Sequence, residues 1–170
     1  MSDSSPTIQT ASRSIAQHIG HDFDYEKTAK RTESDLLLRR HLIKQIKGLL
    51  GNLAGIDKAA QTKDQERLDS LVESTKRKLK TINESLENPT YNGTPFFESE
   101  KLPEKRVLKI HSFEINMLGE LSSLLEEITS LKGDVLQKEK FEDHFLHIHD
   151  FVDNFNQALF EREALILGDE

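Results

Sequence analysis

The chain has 170 residues, a mass of 19.5 kDa and a formal net charge of −7. It contains no cysteine, which excludes disulfide scaffolds, cysteine-ligated zinc, iron–sulfur clusters and thiol nucleophiles. Leucine outnumbers valine 23 to 4, a bias that favours helices over sheets. We therefore predict an all-α protein of one-domain size.

The first 23 residues combine a polar start with a weak apolar pattern. Residues 1–13 are rich in serine and threonine and contain Pro6, so we predict a disordered tail over 1–23. Ile15 and Ile19 are four residues apart, which permits a short helix at 14–20. This segment has no apolar signal core, and we expect a soluble, cytoplasmic protein.

Four long helices are predicted after the tail. Apolar residues at alternating spacings of four and three indicate helices at about 25–60, 63–87, 104–131 and 135–167. Two charged residues, Glu114 and Arg162, interrupt these heptad seams. Amphipathic helices of this length, joined by short breaks, predict an elongated antiparallel four-helix bundle with coiled-coil-like seams over 24–167.

Glycines recur along one face of the first long helix. Gly48, Gly51 and Gly55 are separated by three and four residues. Each glycine costs a helix about 1 kcal/mol relative to alanine. Either they permit a close helix crossing, or the helix breaks near Gly51 or Gly55; the pattern leaves both alternatives open.

The longest predicted break is the proline-marked loop 88–103. It contains the aromatic residues Tyr91, Phe96 and Phe97. One interpretation is that these side chains plug the end of the bundle, which we favour. The alternative is an exposed docking motif, since residues 88–91 match the short Asn-Pro-x-Tyr peptide of adaptor recognition.

Charge is distributed unevenly along the chain. Residues 27–63 carry a net charge of +6, whereas residues 111–170 carry −10. Either the basic helix packs beside the acidic one and the charges offset each other through weak surface pairs, or each region presents its charge to a partner.

The pattern of residues 36–56 predicts a basic amphipathic helix. Its cations would form a basic patch suited to an anionic membrane surface, an alternative function for the chain. Nucleic acid is a less favoured partner, because the isoelectric point is about 5.5 and no base-reading motif is present. The patch consists of Arg39, Arg40, Lys44 and Lys47.

A second alternative is a metal-binding helical bundle. His144 and His147 are three residues apart on one helix face and could share an ion. Carboxylate di-metal bundles use Glu-x-x-His pairs, however, and this sequence has none. We therefore predict no metal and no other cofactor.

No catalytic signature occurs, neither a phosphate-binding glycine loop nor a zinc-protease or nucleophile-elbow motif. The prediction is a non-enzymatic protein–protein interaction module, acting as a homodimer or as a subunit or adaptor of a helical complex. Burial of an amphipathic face against a partner helix would be the mechanism. The predicted interface residues lie on apolar faces wider than one neighbour requires, and they are Leu36, Leu37, Leu38, Phe151, Phe155 and Phe160.

Overall fold

A computed structural model describes residues 6–59, 65–133 and 138–168. Within these ranges the fold is all-α, as predicted, with six helices and no strand. The bounds of the four long helices lie within three residues of the predicted ones. The helices are α1 (Ile8–Ile19), α2 (Thr28–Ala59), α3 (Gln65–Glu87), α4 (Pro95–Glu98), α5 (Glu104–Gly133) and α6 (Lys138–Leu167).

The N-terminal region is helical where a disordered tail was predicted. The hydroxyl of Thr7 accepts a hydrogen bond from the Thr10 amide, and the Thr10 hydroxyl accepts one from the Thr7 amide. This reciprocal capping box starts α1 at Ile8. The prediction of disorder over 1–23 is therefore wrong for residues 8–19, and the helix is longer than 14–20. Its buried stripe consists of Ala11, Ser12, Ile15 and Ile19.

α2 runs without a break from Thr28 to Ala59. The predicted alternative of a break near Gly51 or Gly55 is therefore wrong. A Cβ atom added at Gly51 would meet nothing within 4 Å, and one at Gly48 would lie 3.8 Å from a Leu125 methyl carbon, an ordinary contact. Neither of these two glycines is required by a close helix crossing.

The chain divides into two compact units. Unit 1 comprises Met1–His41, Pro89–Gly119 and Ala158–Glu170, and unit 2 comprises Leu42–Asn88 and Glu120–Gln157. The core of unit 2 is built from apolar residues of the heptad seams. They include Leu42, Ile46, Leu49 and Leu53 of α2, Val72, Leu79 and Ile82 of α3, Leu124 and Ile128 of α5, and Phe145, Ile148 and Val152 of α6.

In unit 1, a buried arginine holds the loops around the start of α2. The guanidinium of Arg31 donates to the backbone carbonyls of Tyr25 (2.7 Å), Phe96 (3.0 Å), Ser99 (2.6 Å) and Glu26 (3.2 Å). Burial lowers the pKa of Arg31, and these carbonyls supply the partners that a buried cation needs. One side chain thus ties the loop before α2 to α4.

The aromatic residues of the loop 88–103 belong to this core. Tyr91 is 1% exposed and Phe96 is 0% exposed. Phe96 packs edge-on against Tyr25, with ring centroids 5.2 Å apart. The interpretation of these side chains as core residues agrees with their burial, whereas a docking motif that presents Tyr91 does not.

Candidate functional site

The two charges that interrupt the heptad seams meet in the core of unit 1. Arg162 of α6 donates from Nε to the Glu114 carboxylate of α5 at 2.9 Å. Both side chains are almost fully buried, at 1% and 0% exposure. α5 and α6 run antiparallel in this unit, since Arg106 of α5 contacts Leu165 and Glu114 further along contacts Arg162. Opposite charges on two seams therefore neutralise each other.

Two tyrosines and an aspartate complete the surroundings of Arg162. Its Nη2 atom donates to Asp35 (2.6 Å) and to the Tyr25 hydroxyl (3.2 Å), and its Nη1 atom donates to the Tyr91 hydroxyl (3.0 Å). The tyrosine hydroxyls in turn donate to carboxylates, Tyr25 to Glu114 at 2.9 Å and Tyr91 to Asp35 at 3.1 Å. Each of these charged or polar side chains is thus hydrogen-bonded to another.

A second cation balances the charge of this cluster. Arg39 donates to the second oxygen of Asp35 at 2.8 Å, one helical turn along α2. The two arginines and the two carboxylates Asp35 and Glu114 then sum to zero. We name the polar cluster as Tyr25, Asp35, Arg39, Tyr91, Glu114 and Arg162.

His111 extends the polar cluster toward α1. Its Nδ1 atom lies 3.0 Å from Glu114, and its Nε2 atom lies 3.1 Å from the Ser12 hydroxyl. A carboxylate only accepts hydrogen bonds, so Nδ1 donates to Glu114, and the Ser12 hydroxyl is the hydrogen-bond partner of Nε2. The imidazole also stacks on Tyr25, with ring centroids 5.0 Å apart.

Burial controls the ionisation of the cluster. It raises the pKa of Tyr25 well above its ordinary value, and the nearby Glu114 carboxylate adds to the rise. Burial likewise raises the pKa of Tyr91 to about 12. For Arg162, burial alone would lower the pKa, but the surrounding tyrosines and carboxylates hold it well above the ordinary value. The tyrosines stay neutral and the arginine stays charged.

The polar cluster has no buried side-chain atom without a hydrogen-bond partner that could bind a substrate. Among the described residues, the buried side-chain polar atoms without a hydrogen-bond partner are Asn83 Oδ1 and Thr94 Oγ1, and neither belongs to the cluster. Residues from α2, α5, α6 and two loops use one another as partners. The arrangement is suited to fixing how these elements meet.

A separate cleft in unit 1 is accessible from outside. It has a volume of about 630 Å³ and lies between the first turns of α5 and the last turns of α6. Lys105, Arg106 and Lys109 contribute positive charge, with Glu161 as the acidic residue of the lining. Its apolar lining includes Phe113, Ala164 and Leu165.

Arg106 has a structural task in this cleft. It donates to the carbonyls of Leu165 (2.6 Å) and Ile166 (2.9 Å), satisfying the end of α6. Gly168, directly after α6, has φ +97°, and a Cβ atom added there would lie 3.3 Å from Arg106 Nη2. Lys105 and Lys109 are exposed and form no ion pair within the described ranges.

The six predicted interface residues divide between the two units. Leu38 in unit 1 and Phe155 in unit 2 are 0% and 1% exposed, so their seam positions place them inside the chain and leave no surface for a partner. Phe160, in unit 1, is 66% exposed. The other three, Leu36, Leu37 and Phe151, are half-buried.

The predicted basic patch is split as well. Arg39 is buried and paired with Asp35, and Lys47 pairs with Glu87 at 3.1 Å. Arg40 and Lys44 remain exposed. The seam residues of this segment, Leu38, Leu42, Ile46, Leu49 and Leu53, are buried within the chain. No described helix has the length and hydropathy needed to cross a bilayer.

The two candidate metal ligands share a carboxylate instead. His144 Nδ1 lies 3.1 Å from one oxygen of Glu127, and His147 Nδ1 lies 3.2 Å from the other. In the described part of the chain, no group of three or more His, Asp or Glu side chains is placed to hold a metal ion. The metal-binding alternative is therefore not supported by this geometry.

Sequence reasoning missed two sets of residues that matter here. Glu114 and Arg162 were noticed as interruptions, and their opposite charges, each on a heptad seam, were a signal for pairing. The cations of the cleft were also detectable, because residues 101–109 carry a net charge of +3 at the start of a helix. Comparison with protein-family models, curated proteins and solved structures finds no match to this chain.

Proposed function

We propose that this chain is a non-enzymatic helical module that binds other proteins, as a homodimer or as a subunit or adaptor of a helical complex. The observation that carries the proposal is the exposed apolar surface beside the cleft of unit 1. Among the described residues, the large apolar side chains classed as exposed are Leu146, Phe160 and Leu167. Two of these three, Phe160 and Leu167, lie in unit 1 on α6, the helix that forms one wall of the cleft.

Helix geometry connects those two residues to the cleft wall. Phe160, Ala164 and Leu167 follow one another at spacings of four and three, which places them on one stripe of α6. Ala164 lines the cleft, while Phe160 and Leu167 are 66% and 42% exposed. Single exposed apolar residues are common, but a stripe along a cleft is typical of an interaction surface. We name Phe160, Ala164 and Leu167 the apolar stripe.

The finer architecture also belongs to this proposal. We infer that unit 2 is an antiparallel four-helix bundle with heptad seams, because α2, α3, α5 and α6 each contribute seam residues to its core. Such a bundle buries the apolar seams of its four helices against one another. The coiled-coil-like seams pack against one another inside the chain, and the apolar stripe is the surface that contacts the partner.

A non-enzymatic role is supported by the state of the titratable groups. The polar cluster has strongly shifted pKa values, which often mark catalytic sites. Its members are buried and satisfy one another, however, so a substrate would have to break these hydrogen bonds to enter. The cleft supplies cations and apolar surface, a combination better suited to binding than to proton transfer.

The experiment is a mass measurement of the purified full chain in solution by sedimentation, alongside affinity capture from cells. The proposal predicts a mass above 19.5 kDa, or a partner recovered in stoichiometric amounts. Phe160→Ser should abolish this association. Leu146→Ser is the matched control, since Leu146 is an exposed apolar residue of α6 in unit 2, and it should leave association unchanged.

A strict monomer with no stoichiometric partner would contradict the proposal. So would an association that Phe160→Ser and Leu146→Ser weaken equally, because the apolar stripe would then have no special part. Urea unfolding of each variant establishes that any loss of association does not come from loss of the fold.

A further inference from the structure

We propose that the cleft of unit 1 binds an acidic amphipathic helix of a partner protein. The partner's carboxylates would meet Lys105 and Lys109, and its apolar residues would cover the apolar stripe. This inference rests on the proposed function and specifies the chemistry of the partner.

Charge is the first argument for an acidic occupant. The chain as a whole carries −7, yet three cations face one acidic residue, Glu161, in the lining of the cleft. Some exposed lysines elsewhere have acidic neighbours, as Lys47 has Glu87 at 3.1 Å and Lys27 has Asp24 at 3.6 Å. Lys105 and Lys109 have no such partner within the described ranges, so their charge is available to a ligand.

The position of these lysines on α5 is the second argument. α5 begins at Glu104, so Lys105 lies in its first turn, close to the positive end of the helix dipole. A cation there is unfavourable by roughly 0.3–1 kcal/mol. Carboxylates of a bound partner would reverse this local repulsion. Residues that are locally unfavourable for the fold, such as this lysine, are expected at surfaces that bind a partner.

The apolar part of the surface selects a helix over a simple anion. Phe113, Ala164 and Leu165 line the cleft, and Phe160, one helical turn before Ala164 on α6, is 66% exposed. A free phosphate would use the lysines and leave this apolar area in water. An amphipathic helix with acidic residues beside its apolar stripe covers both features, as in the helix-in-groove mode of recognition.

The test uses a labelled synthetic peptide of about 15 residues, long enough for a measurable helix. The peptide carries leucines at spacings of three and four and glutamates elsewhere. Two matched peptides replace all glutamates by glutamine or by lysine. Fluorescence anisotropy with the full chain should give saturable binding of the glutamate peptide, weaker binding of the glutamine peptide and none of the lysine peptide.

Variants of the chain locate the binding. Lys105→Glu combined with Lys109→Glu should weaken binding of the glutamate peptide by at least about tenfold, because two attractive charges become repulsive. Lys44→Glu with Lys80→Glu is the control, since both lysines are exposed and lie in unit 2, and it should change the affinity less than about twofold. Phe160→Ser should weaken binding, and Leu146→Ser should not.

Three results would overturn the inference. The first is equal binding of the glutamate and lysine peptides. The second is displacement of the glutamate peptide by inorganic phosphate beyond the effect of sodium chloride at equal ionic strength, which would indicate an anion site. The third is occupation by a second copy, seen as a dimer that the double variant at Lys105 and Lys109 dissociates.

The same measurements separate this inference from the proposed function. If association depends on Phe160 but the glutamate peptide does not bind, the interaction module stands and the partner's chemistry is wrong. If the chain is a strict monomer without a stoichiometric partner, the proposed function fails whatever the peptides do.

Discussion

Unit 2 buries apolar seam residues almost alone, whereas unit 1 buries a set of charges. Of the nine buried polar or charged residues in the described part of the chain, Thr75 is in unit 2 and the other eight are in unit 1. Thr75 turns its hydroxyl back to the Leu71 carbonyl at 2.8 Å, so it needs no partner from another helix. The charged residues of unit 1 depend on partners from several elements.

This difference bears on how each unit fixes its geometry. Heptad seams tolerate a shift by one repeat, because apolar contacts have no direction. The hydrogen bonds of Arg162 admit one placement of Asp35, Glu114, Tyr25 and Tyr91. A buried ion pair is often no more stabilising than apolar residues of equal volume. We therefore hypothesise that the polar cluster contributes specificity of packing in unit 1.

The largest expected effect comes from removing the central cation. Arg162→Met leaves two buried carboxylates short of a partner, so it should lower the free energy of unfolding by about 3–5 kcal/mol. The measurement is urea unfolding followed by tyrosine fluorescence. The chain has two tyrosines and no tryptophan, and both tyrosines contact Arg162, so the signal reports on the polar cluster.

A double-mutant cycle with Glu114→Met supplies the control for this prediction. The double variant should be more stable than the sum of the two single effects implies, by roughly 0.5–3 kcal/mol, because it removes both opposite charges. A cost below about 1 kcal/mol for Arg162→Met would show that water or a rearranged Arg39 replaces the lost cation, and the proposed contrast between the units would collapse.

The stability of the apolar core of unit 2 should depend on side-chain volume and not on charge. Leu79 of α3 is 2% exposed, and Leu79→Ala should cost about 2–5 kcal/mol through the cavity that it leaves. Leu79→Met nearly conserves volume and should cost less than about 1.5 kcal/mol. Urea unfolding followed by circular dichroism measures both. A Leu79→Met variant as damaging as Arg162→Met would erase the distinction between the two cores.

Alkaline pH should weaken unit 1 through its tyrosines. The pKa of Tyr91 is raised to about 12, above the ordinary value of about 10 that applies when the chain is unfolded. The folded state then holds the Tyr91 proton more tightly than the unfolded state does. The stabilisation that Tyr91 contributes to the folded state is therefore fully present below pH 10 and is lost as the pH rises toward 12. The loss attributable to Tyr91 is on the order of 2–3 kcal/mol.

Ultraviolet difference absorbance of tyrosinate measures this titration directly. In the folded chain both tyrosines should ionise above the ordinary value, since burial raises the pKa of Tyr25 as well. In concentrated urea they should ionise near about 10. Tyr91→Phe leaves Tyr25 as the only reporter and assigns the two steps. Ionisation of both tyrosines near the ordinary value in the folded chain would contradict their burial in the polar cluster.

The contrast between the units also explains which features could be predicted from the sequence. The spacing of residues such as Leu42, Ile46 and Leu79 indicated the helices, because seam burial is a local, periodic property. The pairing of Glu114 with Arg162 depends on the register between two helices, which periodicity does not set. Thr7 was read as part of a polar tail, since its capping role appears only when Thr10 is considered with it.

The candidate site was predictable in part. Phe160 was singled out from an apolar arc wider than one neighbour requires, and it is exposed. Phe155 was singled out by the same argument and is buried, because the width of an arc does not say which side of it the core occupies. The cleft unites Lys109 of α5 with Ala164 of α6, a proximity that no single helix encodes.

The smallest expected effect concerns the glycines and has opposite signs in the two units. Gly51 lies inside α2 in unit 2, and a Cβ atom there meets nothing within 4 Å. Gly51→Ala should therefore raise the free energy of unfolding by up to about 1 kcal/mol. Gly168 in unit 1 has φ +97° and lies against Arg106, so Gly168→Ala should cost about 1 kcal/mol instead. Urea midpoints of the two variants give the comparison. If Gly51→Ala destabilises the chain, then α2 needs flexibility at this point of unit 2, and the apolar seams alone would not account for its unbroken course.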